Sequence, residues 1–191
     1  WDGAFSSFSQ LVNSFLRLGK KAISINLFSN EKIFQDEKVA DSYEKLKKKI
    51  GKIIYIGQWE PIDQNCITRF AEITGDNQWI HTDPKRAKSE SPFKSTIAHG
   101  FLTLSLIPKL TDSINRSTKL YPNSRLVVNY GLNQVRFPFP VRSGSRVRAR
   151  LKLKKVTPMK KSLEIINEVS VEVENRKRFA CVAETVLRVY Y

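Results

Sequence analysis

The chain has 191 residues, which suits a single domain, and its 41% hydrophobic and 27% charged content is typical of a globular protein with a core. No run of about 18 apolar residues occurs, so we expect no membrane span. The formal net charge of +15 favours a polyanionic partner, such as nucleic acid, an anionic membrane surface, an acidic protein or a phosphorylated cofactor.

The two cysteines, Cys66 and Cys181, are too few for a disulfide scaffold, and each lies in an apolar pattern that predicts a buried free thiol. We therefore expect a reducing, cytoplasmic location. A metal site is not expected, because the chain has no Cys-x-x-Cys or His-x-x-x-His spacing.

The first part of the chain predicts two helices. Apolar side chains recur at helical spacing in residues 1–20, which we interpret as an amphipathic helix packed on the domain; a secretory signal is the alternative. Residues 37–50 form a second helical pattern, and Gly51 is a suitable C-cap. We therefore predict an N-terminal helical extension over residues 1–50 and the main domain over residues 51–191.

The middle of the chain alternates apolar and polar segments. Residues 52–56 predict a short strand, and residues 64–74 a helix for which Asp63 is a plausible N-cap. Residues 75–95 are polar and contain two prolines, which indicates loops and short turns. Residues 97–110 are apolar on nearly every face and therefore predict a buried central helix.

The pattern changes to a period of two residues from about residue 125 onward, which is typical of strands. The predicted strands are residues 126–130, 133–137, 146–154, 163–173 and 179–189. Helices followed by a run of antiparallel strands indicate an α+β domain, in which the sheet wraps around the buried central helix.

The two histidines, His81 and His99, are the only ones in the chain, and they lie in one short window. Asp76 precedes His81 by five residues, and Gly100 directly follows His99 near the start of the apolar helix. A carboxylate, an imidazole and free backbone N–H donors in one cleft are the groups needed to add water to a polarised double bond or to remove it.

These motifs resemble the MaoC-like family of hot-dog-fold acyl-CoA hydratases and dehydratases, and within it the nodulation-protein-N-like branch. The first matching block is an apolar residue, an Asp, a His, an Asp-Pro step and an Ala, here Phe70, Asp76, His81, Asp83, Pro84 and Ala87. Further blocks match at residues 96–105 and 129–144, and the similarity covers about residues 55–190.

The resemblance implies a hot-dog fold and an (R)-specific enoyl-CoA hydratase or 3-hydroxyacyl dehydratase that acts on 2-enoyl thioesters. It assigns Asp76 and His81 to the water and proton steps, and the backbone N–H of Gly100 to the thioester oxygen. A non-catalytic acyl-thioester-binding or scaffold protein, or a thioesterase, is the alternative function.

Three further residues are candidates for the substrate site. His99 either orients the start of the helix or contacts the ligand. Many hydratases of this family have Asn-Pro where this chain has Gln78 and Trp79. Gln78 keeps an amide near the catalytic pair, and we expect the bulk of Trp79 to narrow the acyl pocket.

The predicted strand at residues 146–154 alternates cations with apolar residues, so its cations share one face. Glu164, Glu168 and Glu172 share a face of the next strand, and we interpret the two sets as cross-strand ion pairs. A docking surface for CoA phosphates or an acidic acyl-carrier protein is the alternative.

The resemblance also sets expectations for partners. CoA or an acyl-carrier protein carries the acyl group, and no metal or redox cofactor is expected. An open sheet edge favours a homodimer with the site near its interface. Nucleic-acid binding is not expected, because no recognition helix or aromatic-basic stacking motif is visible.

Overall fold

The computed structural model describes residues 36–113 and 120–191, so the helix predicted in residues 1–20 lies outside the described residues. The described helices are α1 Glu37–Lys47, α2 Gln64–Thr74, α3 Trp79–Thr82, α4 Pro84–Glu90, α5 Gly100–Ser105 and α6 Ile107–Leu110. The described strands are β1 Ile53–Ile56, β2 Glu60–Ile62, β3 Leu126–Arg136, β4 Ser145–Pro158, β5 Ser162–Val173 and β6 Phe179–Tyr190. None of the described helices has both the length and the apolar content needed to span a bilayer.

The strands form one antiparallel sheet in the order β1-β4-β5-β6-β3, with β2 also paired to β4. The α+β prediction is therefore confirmed. The two strands predicted at residues 126–130 and 133–137 are one strand, β3, whose register against β6 shifts on both sides of residues 131–132. These irregularities break the period of two, which is why the sequence indicated two strands.

Glutamates pair with four cations of β4, so the cross-strand interpretation is confirmed in part. Of the three glutamates that it named, only Glu172 is among these partners in the described part of the chain, and Glu164 pairs with Arg188 of β6. Arg148 Nε lies 2.6 Å from Glu172 Oε2, and Arg150 lies 3.2 Å from Glu172 Oε1. Lys154 instead pairs with Glu184 of β6, because the β4–β5 register shifts between Leu153 and Lys155. The indole of Trp59 also covers the Arg148 guanidinium, 4.4 Å from the ring centroid.

The core consists of two hydrophobic clusters along the sheet. The larger one joins the sheet to α2, α5 and α6 through residues such as Ile67, Leu102 and Leu110. The smaller one joins it to α1 through Val39 and Leu46. Helix α1 thus packs on the sheet, and the boundary predicted between residues 50 and 51 remains a prediction.

The apolar segment predicted as one buried helix over residues 97–110 is divided. Ala98 is extended, and its N–H donates to the carbonyl of Val141 at 2.7 Å. Helix α5 begins only at Gly100, and the separate α6 begins at Ile107 with Pro108 in its first turn. Phe101 is 70% exposed, so the helix is shorter and less buried than predicted. Backbone pairing with residues 141–142 competes with helix formation at residues 97–98.

Two helices occur where residues 75–95 predicted only loops and turns, so that prediction is wrong in part. Asp83 is the N-cap of α4, and its side chain accepts a hydrogen bond from the Arg86 N–H at 3.0 Å. Pro84 occupies the first turn of α4, where its missing N–H costs nothing. The predicted N-cap of α2 is confirmed, because the Asp63 carboxylate accepts from Cys66 N–H at 2.8 Å.

Candidate active site

Three short connections bring Asp76, His81 and His99 together. Helix α2 ends at Gly75, whose φ of 76° lies in the left-handed region that glycine adopts readily, and the chain then turns to present Asp76. His81 lies on α3, and His99 is the N-cap of α5. One ligand atom from each of the three side chains lies within 4.8 Å of the other two. The Asp76 side chain is 57% exposed, so the cluster opens to solvent on that side.

The tautomer of His81 follows from its hydrogen bond. Its Nδ1 lies 2.7 Å from the backbone carbonyl oxygen of Ile97. A carbonyl oxygen can only accept, so Nδ1 carries the proton and donates it. The other ring nitrogen, Nε2, is therefore left with a free lone pair in the neutral imidazole and can accept a proton.

His99 is 3% exposed and has the opposite arrangement. Its Nε2 lies 2.9 Å from the backbone carbonyl oxygen of Asp76 and donates to it. Its Nδ1 is buried and has no hydrogen-bond partner among the described residues. This bond holds the backbone of Asp76, whose carboxylate Oδ2 lies 3.9 Å from the same nitrogen.

The two imidazoles are stacked, with ring centroids 3.8 Å apart and an interplanar angle of 28°. Burial lowers the pKa of His81; the Ile97 carbonyl and Asp76 oppose this shift, and neighbouring His99 adds to it. His81 is therefore predominantly neutral near pH 7. A neutral imidazole with one free lone pair has the protonation state of a general base.

The stacked arrangement suits proton transfer better than metal binding. An imidazole binds a metal along the lone pair in its ring plane, so two ligating rings must aim their lone pairs at one point. Near-parallel stacked rings aim them side by side instead. The absence of a metal site here stays a prediction.

Gln64, the first residue of α2, braces the site and was missed in the sequence. Its Nε2 donates to the backbone carbonyl of His81 at 2.8 Å, and its Oε1 accepts from the buried Thr96 hydroxyl at 2.5 Å. One amide thus connects the segment that carries His81 with the segment that leads to His99. The polar position directly after the Asp63 cap was the only signal in the sequence.

Gly100 lies at the start of α5, so its N–H has no acceptor within the helix. A Cβ built at this position would lie 2.8 Å from Cδ2 and 2.9 Å from Cγ of Phe137. A side chain at this position would therefore force the Phe137 ring or the start of α5 to shift. Phe137 also packs against exposed Phe101, with centroids 6.0 Å apart. Phe137 lies in the third block of the family resemblance, but nothing in the sequence indicated its contact with Gly100.

Gln78 and Trp79 lie at the start of α3. Gln78 is exposed and forms the N-cap, and its backbone carbonyl accepts from His81 N–H at 2.9 Å. The Trp79 ring is covered by the Arg86 guanidinium, which lies 4.5 Å from the ring centroid. Side chains two positions apart on a helix do not face each other, so Trp79 and His81 project in different directions. The substrate-site role of both residues remains a prediction.

A cavity of about 390 Å³ lies beside α5. Its walls are mainly apolar and come from α5, α6 and β3, and they include Leu104, Ile107, Pro108, Tyr130 and Leu132. Leu104 is four residues after Gly100, about 6 Å along a helix axis. The cavity is therefore within reach of a chain that starts at Gly100.

Comparison with known proteins identifies relatives over most of the chain. Residues 45–175 match the family described as MaoC-like domain. The chain is 42% identical over 153 residues to 3-hydroxyacyl-thioester dehydratase Z of Mycobacterium tuberculosis, covering 80% of this chain and 95% of that protein. It is 40% identical over 149 residues to Nodulation protein N of Rhizobium leguminosarum bv. viciae, covering 78% of this chain and 88% of that protein.

A solved structure, titled a monoamine oxidase regulatory protein from Archaeoglobus fulgius, has the same fold. It superposes with a TM-score of 0.61 at 25% identity and covers 74% of this chain and 91% of its own. The hot-dog fold implied by the sequence resemblance is thus confirmed, with α5 as the helix against the sheet.

Proposed function

The chain belongs to the MaoC-like domain family, and we propose that it catalyses the reversible, (R)-specific hydration of trans-2-enoyl thioesters to 3-hydroxyacyl thioesters. The relative named 3-hydroxyacyl-thioester dehydratase Z supports this reaction class, since it matches at 42% identity over nearly its whole length. The observation that carries the proposal is the neutral His81, with its proton fixed on Nδ1 and its lone pair free, beside the Asp76 carboxylate.

In the hydration direction, Asp76 and His81 hold a water molecule against C3 of the substrate. His81 Nε2 takes a proton from the water as the oxygen–C3 bond forms. The C2–C3 π electrons then move towards the thioester carbonyl, which becomes an enolate-like oxyanion. The proton held by the pair is delivered to C2, which restores the carbonyl and the starting state of the enzyme. Dehydration follows the same steps in reverse.

The backbone N–H of Gly100 is our candidate donor to the thioester oxygen. It has no acceptor within α5, and the absence of a side chain allows close approach of the substrate. The negative charge on this oxygen grows in the transition state, so a fixed donor lowers the barrier. Such a donor typically contributes about 3 kcal/mol.

The acyl chain is proposed to bind in the cavity beside α5. The cavity is mainly apolar, lies about one helical turn from Gly100, and is bounded by Leu104 and Leu132. Its apolar walls suit a hydrocarbon tail and not a phosphorylated carrier arm. The carrier, either CoA or an acyl-carrier protein, would then lie towards the exposed Asp76 side.

His99 is proposed as a positioning residue, because its Nε2 holds the Asp76 carbonyl and its ring stacks on His81. Gln78 and Trp79, which lie between Asp76 and His81 in the sequence, remain proposed substrate-site residues. The reaction requires no metal or redox cofactor in this proposal, because water addition involves no net oxidation or reduction and the described side chains supply the acid–base groups. Cys66 and Cys181 are free thiols, which favours a cytoplasmic location.

A homodimer is proposed through β3. This strand ends the sheet order and is paired only with β6 in the described part of the chain. It is 11 residues long and exposes apolar side chains, among them Tyr130 at 64% and Leu132 at 48%. The free backbone N–H and C=O groups of such an edge strand can pair with a strand of a second copy of the chain. Sedimentation should show a dimer that Leu132→Arg weakens. The matched control Ile73→Arg, at an exposed position of α2, should leave the dimer intact.

The reaction is tested by the loss of crotonyl-CoA absorbance on addition of the purified protein. We expect turnover, and we expect Asp76→Asn or His81→Ala to reduce it by about 10²-fold or more. The matched control is Asp83→Asn, because Asn also serves as an N-cap and the charge change is the same. Activity near wild type in both site variants would exclude the mechanism. Binding of crotonyl-CoA without turnover would instead identify a non-catalytic acyl-thioester-binding protein.

A further inference from the structure

A second cavity, of about 360 Å³, lies at the C-terminal end of α1. Its floor is apolar and includes Leu46, Leu120 and Tyr191, and its rim carries the side chains of Lys45, Lys48, Lys49 and Lys52. We call this space the lysine pocket. Leu46 and Tyr191 of this floor belong to the smaller core cluster, whereas Leu120 packs against both clusters.

The lysine pocket is remote from the catalytic pair along β4. On the side of the lysine pocket, the Leu153 N–H donates to the carbonyl of Lys52 at 3.0 Å. On the side of the catalytic pair, the Ser143 N–H donates to the carbonyl of Thr96, which lies three residues before His99, at 2.9 Å. These two anchor points are separated by ten residues of largely extended chain, or roughly 30 Å at about 3.3 Å per residue. A ligand in the lysine pocket therefore does not occupy the proposed reaction site.

Most lysines of the lysine pocket have no carboxylate partner in the described residues, and the C-terminal end of α1 offsets only part of their charge. Lys45 pairs with Asp41 at 2.6 Å. Within residues 36–113 and 120–191, no carboxylate lies at ion-pair distance from Lys48, Lys49 or Lys52. The cations of β4 differ, since glutamates neutralise most of them. Clustered ammonium groups repel one another, so an anion that binds among them relieves that repulsion and is attracted to the site.

We propose that the lysine pocket is a binding site for a small nucleotide-like phosphate, separate from the reaction site. The phosphates would lie among the lysines of the rim, and the planar base would lie on the floor formed by Leu46, Leu120 and Tyr191. The cavity volume falls in the range of small-molecule sites, and an apolar floor with a few convergent charged groups is the usual composition of such sites.

The test is calorimetric titration of the full chain with ADP, pyrophosphate and adenosine. ADP uses both the rim and the floor, so we expect it to bind at least about tenfold more tightly than either fragment. The double variant Lys48→Glu and Lys49→Glu should weaken ADP binding by about tenfold or more. The matched control is Lys85→Glu and Lys88→Glu on α4, which has the same net charge and should bind ADP nearly as well as wild type.

Three outcomes would overturn the inference. Equal affinity for ADP and pyrophosphate would mean that the floor is not used. Equal weakening in the two double variants would mean that only the overall charge of the protein attracts the anion. A rise in the KM for crotonyl-CoA in the Lys48→Glu, Lys49→Glu variant, in parallel with lost ADP binding, would make the lysine pocket part of the substrate site. Thermal melting of each variant checks that it is folded.

Discussion

Replacement of Gly100 by alanine tests the relation between packing and the proposed oxyanion donor. The added Cβ would lie 2.8, 2.9 and 3.1 Å from three ring atoms of Phe137, whereas carbon atoms normally approach to about 3.5–4.0 Å. Either the ring or the start of α5 must move by several tenths of an ångström. Overpacking of this kind costs about 1–3 kcal/mol, and a misplaced donor costs about 10²-fold in rate. We expect kcat for crotonyl-CoA to fall by about 10²-fold.

The same structure predicts a rescue. Phe137→Ala removes all three contacting ring atoms, so the variant Gly100→Ala, Phe137→Ala should recover much of the lost kcat. The coupling free energy from the double-mutant cycle should be about 1–3 kcal/mol. Phe137→Ala alone is the matched control and keeps the Gly100 donor. The reasoning fails if Gly100→Ala retains full activity, or if the two substitutions have additive effects on kcat.

Three further predictions concern other parts of the molecule. The pKa of His81 lies below its ordinary value of about 6.5, so kcat/KM for hydration should stay level above pH 6.5. At lower pH, kcat/KM should decrease as Nε2 becomes protonated. A decrease that begins near pH 8 would contradict this prediction. If Trp79 narrows the acyl site as predicted, Trp79→Ala should extend the usable chain length in an acyl-CoA series from four carbons upward. Identical chain-length profiles for the two proteins would instead mean that the indole only packs on Arg86. Tyr121→Phe should lower the free energy of unfolding by about 1–3 kcal/mol in urea titration, because it leaves the buried Asn167 amide, now 3.0 Å from the Tyr121 hydroxyl, without its acceptor.

The elements with strong local signals were predictable from the sequence. Helix α2 has an Asp cap, an apolar face and a terminal glycine, and the structure places it at the predicted residues. The long strands β4, β5 and β6 follow their alternation of apolar and polar residues to within a few residues. Helix α4 was missed, because its polar sequence has no apolar face and its helical signal is the local pair of Asp83 and Pro84.

The contact between Gly100 and Phe137 was not predictable from one sequence. The two residues are 37 positions apart, and the contact depends on where the chain leaves β3 relative to α5. Gln64 is similar, since its amide meets two segments that fold beside it from later in the chain. Side-chain contacts of this kind depend on the tertiary fold and leave no periodic pattern.

The spacing of Asp76 and His81 identified the candidate residues, but it could not show which ring nitrogen of His81 and of His99 carries the proton. That assignment depends on two backbone carbonyls, of Ile97 and of Asp76, which orient the two imidazoles in opposite senses. Ile97 directly follows Thr96, whose hydroxyl donates to the side chain of Gln64. Gln64 therefore helps to fix the Ile97 carbonyl, and that carbonyl keeps the proton of His81 on Nδ1. A change at Gln64 is therefore expected to act on the acidic limb of the pH–rate profile as well as on stability. Backbone carbonyls thus determine which ring nitrogen of each histidine carries the proton, and residues such as Gln64 that position those carbonyls are part of the site.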